Sequence, residues 1–444
     1  MQLSRSSSEL RSGLAAATVA LLGAAPAPAR ATEATSSALL YTEPNRVTAF
    51  ETRADFTRQL SRERVLRYSF TLDALTGASP NGALRAGVPQ TFTGPSGTAS
   101  YRVAPGQTPL DDSFHDTRYA GSLSVDLPVG RLTTSTLGLN LSTERDYFSA
   151  GVSARLARDL FRRNTTIAIG VSGSADLVRP FGGTPDPFGL VSATVSEPED
   201  VTSTGASGGF GRDEGEGGEG VPQGSEGKQV ADALFGITQV LNRSTILQLN
   251  YSVSRATGYL TDPYKLITVA AAPGTVNAGD PLDYRYESRP DTRFKQSLYA
   301  ESKHSFGRDV LDVSYRRMWD DWGIRSHTFE GRYRLEVGEH TALEPQLRWY
   351  TQTAADFYRH SLIDGEPLPS FASADTRLGA FDAWTGALKY SRRLYSGHEL
   401  GVRVGYYVQS GDSSPPDAFG SQVSQDLFPR VTAVVTQVSY SFAF

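Results

Sequence analysis

The sequence predicts an all-β protein: a transmembrane, antiparallel, up-and-down β-barrel of about 16 strands. Three observations predict it. Apolar and polar residues alternate with a period of two along most of the chain, short and long connections follow one another in turn, and the last strand alternates up to a terminal phenylalanine. A soluble enzyme of 444 residues would more often divide into domains with helical, leucine-rich cores.

The alternation is clearest in Arg325 to Leu335. Phe329 and Tyr333 fall on one face of this segment, and Glu330 and Arg332 fall on the other. One apolar and one charged face are typical of a strand that separates lipid from water. The same division recurs in Leu66 to Ala74, Ala342 to Gln352 and Leu400 to Val408.

The lengths of the connections between strands distinguish a membrane barrel from a soluble β-sandwich, because barrels of the outer membrane have short turns on one side and long loops on the other. The short polar turns, expected to be periplasmic, are Ser61 to Arg64, Pro128 to Arg131, Asp159 to Asn164, Leu241 to Ser244, Gly307 to Asp309, Gly338 to His340 and Tyr395 to Glu399. The long segments, expected to be extracellular, are Gly77 to Asp116, Leu177 to Gly227, Thr257 to Asp291, Ala354 to Thr376 and Gly411 to Pro429. Counting strands between them, with a short first strand at Ser37 to Glu43, gives about 16.

Composition is compatible with this architecture. Mean hydropathy is −0.32, so helical membrane spans are not expected. A barrel can nevertheless cross a membrane at low mean hydropathy, because only every second residue of each strand faces lipid. Because the chain has no cysteine, thiol catalysis, disulfides and thiolate metal sites are excluded. The net charge of −5 argues against nucleic acid as a partner.

The N-terminus reads as a cleaved signal peptide over residues 1–31, which leaves 32–444 as the barrel. Arg5 and Arg11 precede an apolar run, Leu14 to Ala25, and Ala29-Arg30-Ala31 forms a small-x-small cleavage site. The alternative is a membrane anchor, but the run is too short for a span. Export and a barrel together predict the outer membrane of a Gram-negative bacterium.

The last strand carries a second targeting feature. Tyr440, Phe442 and Phe444 alternate with serine and alanine up to the end of the chain. This pattern resembles the C-terminal signal read by the barrel-assembly machinery, which is therefore an expected partner together with outer-membrane lipids.

Four segments resemble the bacterial family known as domain of unknown function 3570, whose members are predicted outer-membrane proteins of similar length. They are Leu72 to Ala83, Gly258 to Lys265, Tyr315 to Thr328 and Pro345 to Tyr358. The resemblance is spread over most of the mature chain and implies fold and location, but no function. The Gly-rich acidic stretch near Gly208 to Gly220, within the loop at about 177–227, matches no family motif and is expected to be a variable loop.

Charged residues on the polar face of each strand are expected to line the lumen, because they are costly against lipid. Such residues can form a field that sorts solutes; the alternative is that they pair across strands and hold the barrel together. Both signs are well represented, so strong charge selectivity is not predicted. The candidates are Glu51, Arg53, Asp55, Arg67, Asp73, Arg316, Glu330, Arg332, Arg334, Glu344, Arg348, Lys389 and Arg403.

Neither a metal nor a cofactor is expected. Asp320 and Asp321, with Asp73 and the Asp262-Pro263-Tyr264 turn, offer oxygen ligands, but calcium loops need several ligands at fixed spacing. A solvated turn is the favoured interpretation of the paired acids.

Catalysis is not expected either. The six histidines are dispersed, and neither a Gly-x-Ser-x-Gly elbow nor a His-Glu-x-x-His helix is present. Ser326 and His327 are the nearest approach to a catalytic pair, but alternation puts adjacent residues on opposite faces of a strand. An outer-membrane hydrolase is therefore the third and weakest hypothesis.

The first functional hypothesis is a channel or porin-like pore for small hydrophilic solutes. The second is a plugged or narrow barrel that anchors, or acts as a conduit for, a periplasmic or surface partner such as a lipoprotein or redox carrier. The long loops and the crowded lumen charges motivate the second hypothesis. The sequence leaves both open and does not indicate an oligomeric state.

Overall fold

A computed structural model describes residues 32–77, 80–93, 100–110, 115–180, 182–191, 194–195, 224–395 and 397–443. The predicted signal peptide, the stretch Gly208 to Gly220 and the terminal Phe444 lie outside these residues. In the described part of the chain, no helix is both long enough and apolar enough to cross a membrane.

Sixteen antiparallel strands form a closed barrel, which confirms the predicted fold class. Inward and outward residues alternate along each strand, and most of the strands are apolar on one face and polar on the other. The strands are β1 (Thr32–Thr42), β2 (Val47–Gln59), β3 (Val65–Gly77), β6 (His115–Gly130), β7 (Thr133–Thr143), β8 (Tyr147–Leu160), β9 (Thr165–Val178), β11 (Glu226–Asn242), β12 (Thr245–Gly258), β15 (Thr292–Phe306), β16 (Asp309–Asp320), β17 (Arg325–Val337), β18 (Thr341–Gln352), β20 (Phe381–Arg393), β21 (Glu399–Gly411) and β22 (Val431–Ala443).

The barrel closes where the first and last strands pair. Glu33 lies opposite Ala443, and Thr42 lies opposite Val434, so the pairing runs along nearly the whole of β1. The predicted short first strand was wrong in extent, because β1 begins at Thr32 and not at Ser37. Residues 32–36 are small or polar and carry no large apolar residue that would mark a strand, yet β2 and β22 both pair with this segment.

The described residues of all seven predicted short turns join strands at one end of the barrel, and those of all five predicted long segments join strands at the other. Three further connections at the long-loop end are short, namely residues 43–46, 144–146 and 321–324. Both ends of the described barrel lie at the short-turn end, as an even strand number requires.

The outward face of the barrel is apolar. Phe70 is 62% exposed and Leu139 is 54% exposed, and their cross-strand neighbours are also apolar or small. Exposed apolar side chains all around a closed sheet indicate contact with lipid. Outward aromatic residues near the strand ends include Tyr119, Phe148, Trp319, Trp349, Trp384 and Tyr440.

Parts of the long loops fold into a compact assembly, here called the loop cap. It contains two small sheets, in the strand orders β10–β4–β5 and β14–β13–β19. It also has cores of its own: Phe92 and Tyr284 are almost fully buried in one, and Ile267 in another. The strands are β4 (Gln90–Thr93), β5 (Ser100–Val103), β10 (Thr194–Val195), β13 (Leu266–Ala270), β14 (Pro281–Tyr286) and β19 (Leu362–Ile363).

Trp322 also belongs to the loop cap. It is 4% exposed and packs edge to face against Phe357, beneath the guanidinium of Arg293. This aromatic residue, which follows β16 directly, therefore stabilises a loop and does not face lipid.

Candidate functional site

All thirteen predicted lumen residues lie on one face of the barrel sheet, opposite the exposed apolar side chains. The register shows this directly: Glu51 pairs with Asp73, whereas Phe50 pairs with Ala74 on the other face. On the charged face, Arg403 donates to Gln346 across the intervening β20. Side chains two strands apart converge on the concave side of a barrel, so we infer that this is the inner face. A role in lining a water-filled lumen stays a prediction.

Four of the five candidates on β2 and β3 form ion pairs, and the fifth, Glu51, lies opposite Asp73 in the register. The Arg53 Nη2 atom lies 2.7 Å from Asp55 Oδ1. Arg67 Nη1 lies 2.6 Å from Asp126 Oδ2, and Asp73 accepts from Arg118. Asp126 and Arg118 were not among the predicted residues, although the alternation of β6 places both on the same face.

The candidates on β17 belong to a second network. The Arg332 Nη2 atom lies 3.0 Å from Asp312 Oδ2, and Arg332 Nε lies 3.3 Å from Glu330 Oε1. Glu330 also accepts from Gln346 at 2.9 Å. Arg334 pairs separately with Glu336 at 2.8 Å.

The remaining candidates do not join either network through an ion pair within the described residues. Arg316 lies over the ring of Tyr299, 5.4 Å from its centroid. Arg348 lies opposite Glu330 in the register. On β20, Lys389 lies opposite both Glu344 and Arg403.

Many of these inner side chains remain open to water despite their pairing. The exposed fraction of the side chain is 47% for Arg53, 46% for Arg67 and 50% for Lys303. The described side chains therefore leave space for water around Arg53 at mid-height of β2, and around Arg67 and Lys303 towards the short-turn end. An interior of this kind is expected for a barrel of sixteen strands.

The inner charges are unevenly distributed around the barrel. On the eight strands from β1 to β11, the register gives ten acidic and five basic inward side chains. On the eight strands from β12 to β22 it gives seven acidic and ten basic ones. An acidic wall therefore faces a basic wall, although the two signs nearly balance overall.

At the long-loop end, six charged residues of the loop cap form a cluster, here called the ionic cluster. Its members are largely buried, except that the side chain of Arg377 is 62% exposed and that of Asp262 is 23% exposed. Asp375 is its centre: it accepts from Arg289 Nη2 at 2.8 Å and from Arg377 Nε at 2.8 Å. Arg377 also donates to Asp262 at 2.5 Å. Its three acids and three bases cancel, and the members are Asp262, Lys265, Glu287, Arg289, Asp375 and Arg377.

The backbone completes the ionic cluster. Glu287 has a fully buried side chain, lies 2.6 Å from Arg289 Nε and accepts from Ser373 and from the backbone N–H of Asp262. The Lys265 ammonium donates to the carbonyl of Pro80 at 2.6 Å. The cluster thus ties together three long loops that are far apart in the sequence.

The electrostatics of the ionic cluster keep its central acid charged. Burial raises the pKa of Asp375, but Arg377, Lys265 and Arg289 outweigh it and hold the pKa well below its usual range. A carboxyl whose folded pKa is depressed stabilises the fold above its unfolded pKa, and that contribution is lost as pH falls through the folded pKa. The contribution of Asp375 is therefore fully present at neutral pH.

The predicted solvated turn at Asp320 and Asp321 was wrong for Asp320. Its side chain is fully buried, lies 2.5 Å from Arg293 Nη2 and accepts from the backbone N–H groups of Trp322 and Ile324. The acid closes the tight turn 321–324 while neutralising an inward arginine. Among the described residues, no group of three or more ligating side chains is arranged to hold a metal ion.

A cavity of about 420 Å³ lies between the ionic cluster and the barrel wall. Asp375 and Arg377 border it on the side of the cap, and inward residues of β1, β20, β21 and β22 border it on the other. Val435 is four residues below the upper end of β22, roughly 13 Å along the strand. The cavity therefore reaches down the barrel wall from the upper end of β22, and the loop of residues 353–380 contributes Asp375, Thr376 and Arg377 to its border. The lining residues on the wall include Tyr41, Thr385, Tyr407, Gln409, Val431 and Val435.

Ser326 and His327 lie on opposite faces of β17. Ser326 is buried on the inner face, whereas His327 Nδ1 is hydrogen-bonded to the outward Tyr315 hydroxyl at 2.7 Å. The two residues of the predicted assembly signal that the structure describes are outward on β22. Tyr440 and Phe442 pack against each other and against His398.

Besides inward ion-pair partners such as Arg118 and Asp126, the residues that the sequence did not indicate are those of the loop cap. Asp262 was considered as a cation ligand, and the other five members of the ionic cluster were not singled out. Their only local signal is a set of charges within loops otherwise rich in glycine, proline and small residues, and nothing in their spacing indicates that they meet.

Comparison with solved structures finds other barrels. The siderophore receptor PirA from Pseudomonas aeruginosa has a TM-score of 0.41 and 7% identity, over 94% of this chain and 62% of the receptor. The outer-membrane protein OpdK from Pseudomonas aeruginosa has a TM-score of 0.38 and 8% identity, over 94% and 99%. The monoaromatic hydrocarbon channel CymD has a TM-score of 0.39 and 8% identity, over 94% and 89%. This chain thus spans about three-fifths of the length of the receptor.

No curated protein matches the sequence. A family model does, and its match extends over residues 11–442, which is nearly the whole chain. The match agrees with the resemblance carried by the four sequence segments and with the barrel fold. The chain belongs to the family described as protein of unknown function (DUF3570).

Proposed function

We propose that the protein is an outer-membrane channel for small hydrophilic solutes, with its narrowest section where the loop of residues 353–380 meets the barrel wall. One observation carries the proposal. Inward charged side chains stay exposed at mid-height and towards the short-turn end of the barrel, and a cavity of about 420 Å³ lies beside the loop cap at the long-loop end. A barrel serving purely as an anchor has no need of a polar, hydrated interior.

The outward face of the barrel supports a location in the outer membrane. Apolar residues surround the closed sheet, and aromatic residues lie near the strand ends, as in barrels of the bacterial outer membrane. In such proteins the short turns are periplasmic and the long loops extracellular. The ionic cluster would then lie at the extracellular mouth.

The inner charges indicate what kind of solute would pass. An acidic wall facing a basic wall produces a transverse field, which orients polar and zwitterionic molecules and disfavours apolar ones. Because the two signs nearly balance, the field distinguishes cations from anions only weakly. We expect small sugars, amino acids or short peptides before strongly charged ions.

Purified protein in planar lipid bilayers tests the proposal. We expect discrete conductance steps, with potassium and chloride permeabilities of similar size, because neither sign dominates the interior. Liposomes containing the protein should also swell in small neutral sugars. A barrel that is folded, as its heat-dependent gel mobility would show, but electrically silent would contradict the channel.

A silent barrel would favour the second candidate, a capped barrel that holds a partner. The observation behind it is that the loop cap exposes large apolar residues: Leu368 is 50% exposed and Val423 is 62% exposed. Exposed apolar groups at the rim of a structured surface are typical of docking sites. In that case, a surface or periplasmic protein should copurify with the full-length chain.

A further inference from the structure

The charges on the outward face of the barrel have a strongly biased distribution. The register places six arginines there but only two acids, Asp309 and Asp382, and neither a lysine nor a glutamate in the described strands. The inner face, in contrast, mixes both signs. All six outward arginines lie near strand ends, where an arginine facing lipid costs much less free energy than at the middle of the bilayer. They are Arg58, Arg158, Arg255, Arg317, Arg325 and Arg392.

The arginines of the two ends are arranged differently. At the short-turn end they lie on β2, β8 and β20, which are not neighbours. At the long-loop end they lie on β12, β16 and β17, within four consecutive strands of the barrel. The clustering at one end is therefore a property of that end and not of outward arginines in general.

Arg317 and Arg325 form the centre of the upper group. Arg317 on β16 lies opposite His327 on β17. Two residues nearer the long-loop end, Trp319 lies opposite Arg325. Diagonal neighbours of this kind are about 7–8 Å apart, so the two guanidinium groups can reach one anion. The Nδ1 atom of His327 is hydrogen-bonded to the Tyr315 hydroxyl, so Nε2 is the ring nitrogen that could contact the anion.

Neither of these two arginines has an acidic partner within the described part of the chain. Inward arginines such as Arg53, Arg67 and Arg293 each lie within 3.0 Å of a carboxylate. Arg317 instead has its guanidinium 5.9 Å from the ring centroid of Trp319. The outward Asp382 shares the row of His327 but is two strands away, roughly 10 Å.

The surroundings fit a lipid headgroup. Below the arginines, Tyr315, Phe329 and Trp349 form a stacked outward aromatic row, and such rings lie at the level where acyl chains meet headgroups. Unpaired guanidinium groups directly above that level meet phosphate, which arginine binds with paired hydrogen bonds. We propose that Arg317 and Arg325, with His327, bind the phosphate of an anionic lipid headgroup in the leaflet at the long-loop end.

The proposal is independent of conduction, since it concerns the outer surface of the barrel. Native mass spectrometry of the protein in detergent, titrated with phosphatidylglycerol or phosphatidylcholine, tests it. We expect the unaltered chain to bind at least one phosphatidylglycerol and to prefer it to phosphatidylcholine by about tenfold. The double variant Arg317→Gln/Arg325→Gln should lose that preference.

The matched control is Arg158→Gln/Arg392→Gln, which removes two isolated outward arginines at the other end and should keep the preference. Arg317→Lys/Arg325→Lys should keep part of it, because charge remains but paired hydrogen bonding is lost. Heat-dependent gel mobility establishes that each variant is folded. Equal affinity for the two lipids in the unaltered chain, or an equal loss in the control variant, would overturn the proposal.

Discussion

Asp375→Asn is expected to raise the single-channel conductance several-fold. Asp375 is 2% exposed and neutralises both Arg289 and Arg377. Removing one partner from a buried ion network leaves uncompensated charge and costs about 3–5 kcal/mol. The lost free energy destabilises the position of the loop of residues 353–380, which the ionic cluster holds beside the cavity. The loop should therefore move away from the barrel wall and widen the pathway.

Asp364→Asn is the matched control, because it removes an exposed acid from the same loop, outside the ionic cluster. Planar-bilayer recordings of both variants give the measurement, and limited trypsin digestion at Arg377 provides a second one. We expect larger conductance and faster cleavage for Asp375→Asn alone. Unchanged conductance in a folded Asp375→Asn barrel would show that the ionic cluster does not restrict the pathway.

Leu139→Arg is expected to destabilise the folded barrel by about 2–4 kcal/mol, the cost of an arginine facing lipid near the middle of a strand. Leu139 is outward near the centre of β7 and lies between Leu123 and Val152 on the neighbouring strands. The folded fraction in lipid vesicles, followed by heat-dependent gel mobility during urea titration, measures the effect.

Asn140→Arg also introduces an arginine, one residue further along β7 and on the inner face. There Asn140 lies opposite Ser122 and Gly151 and is exposed. An arginine at this position should therefore be hydrated and should change the stability of the folded barrel little. Similar destabilisation by the two substitutions would contradict the assignment of the faces.

The barrel could be predicted almost completely from the sequence, because each strand repeats one physical requirement. Lipid on one side and water on the other impose alternation with a period of two, and this alternation places Phe329 and Arg332 on opposite faces, where the structure has them. The first strand was the exception. Its segment around Ala34 and Ser36 has small side chains on the outward face, and its extent is set by pairing with β2 and β22.

The loop cap could not be predicted in the same way, because its contacts depend on how separate loops meet. Ser373 and Glu287 are 86 residues apart, and Arg377 and Asp262 are 115 residues apart. No periodicity links such positions. The same limit explains Asp320: two adjacent acids in a short turn are usually solvated, and only the position of Arg293 on the neighbouring strand makes one of them a buried partner.

Thiol modification of single-cysteine variants during bilayer recording tests the central claim, a conducting pathway between the loop cap and the wall, most directly. The chain has no cysteine of its own, so a single one can be placed at will. Tyr407 borders the cavity of about 420 Å³, whereas the adjacent Tyr406 is outward and 53% exposed. A bulky charged thiol reagent should reduce the current through Tyr407→Cys by half or more and leave Tyr406→Cys unchanged. Equal responses of the two variants, or the absence of any current to modify, would contradict the account.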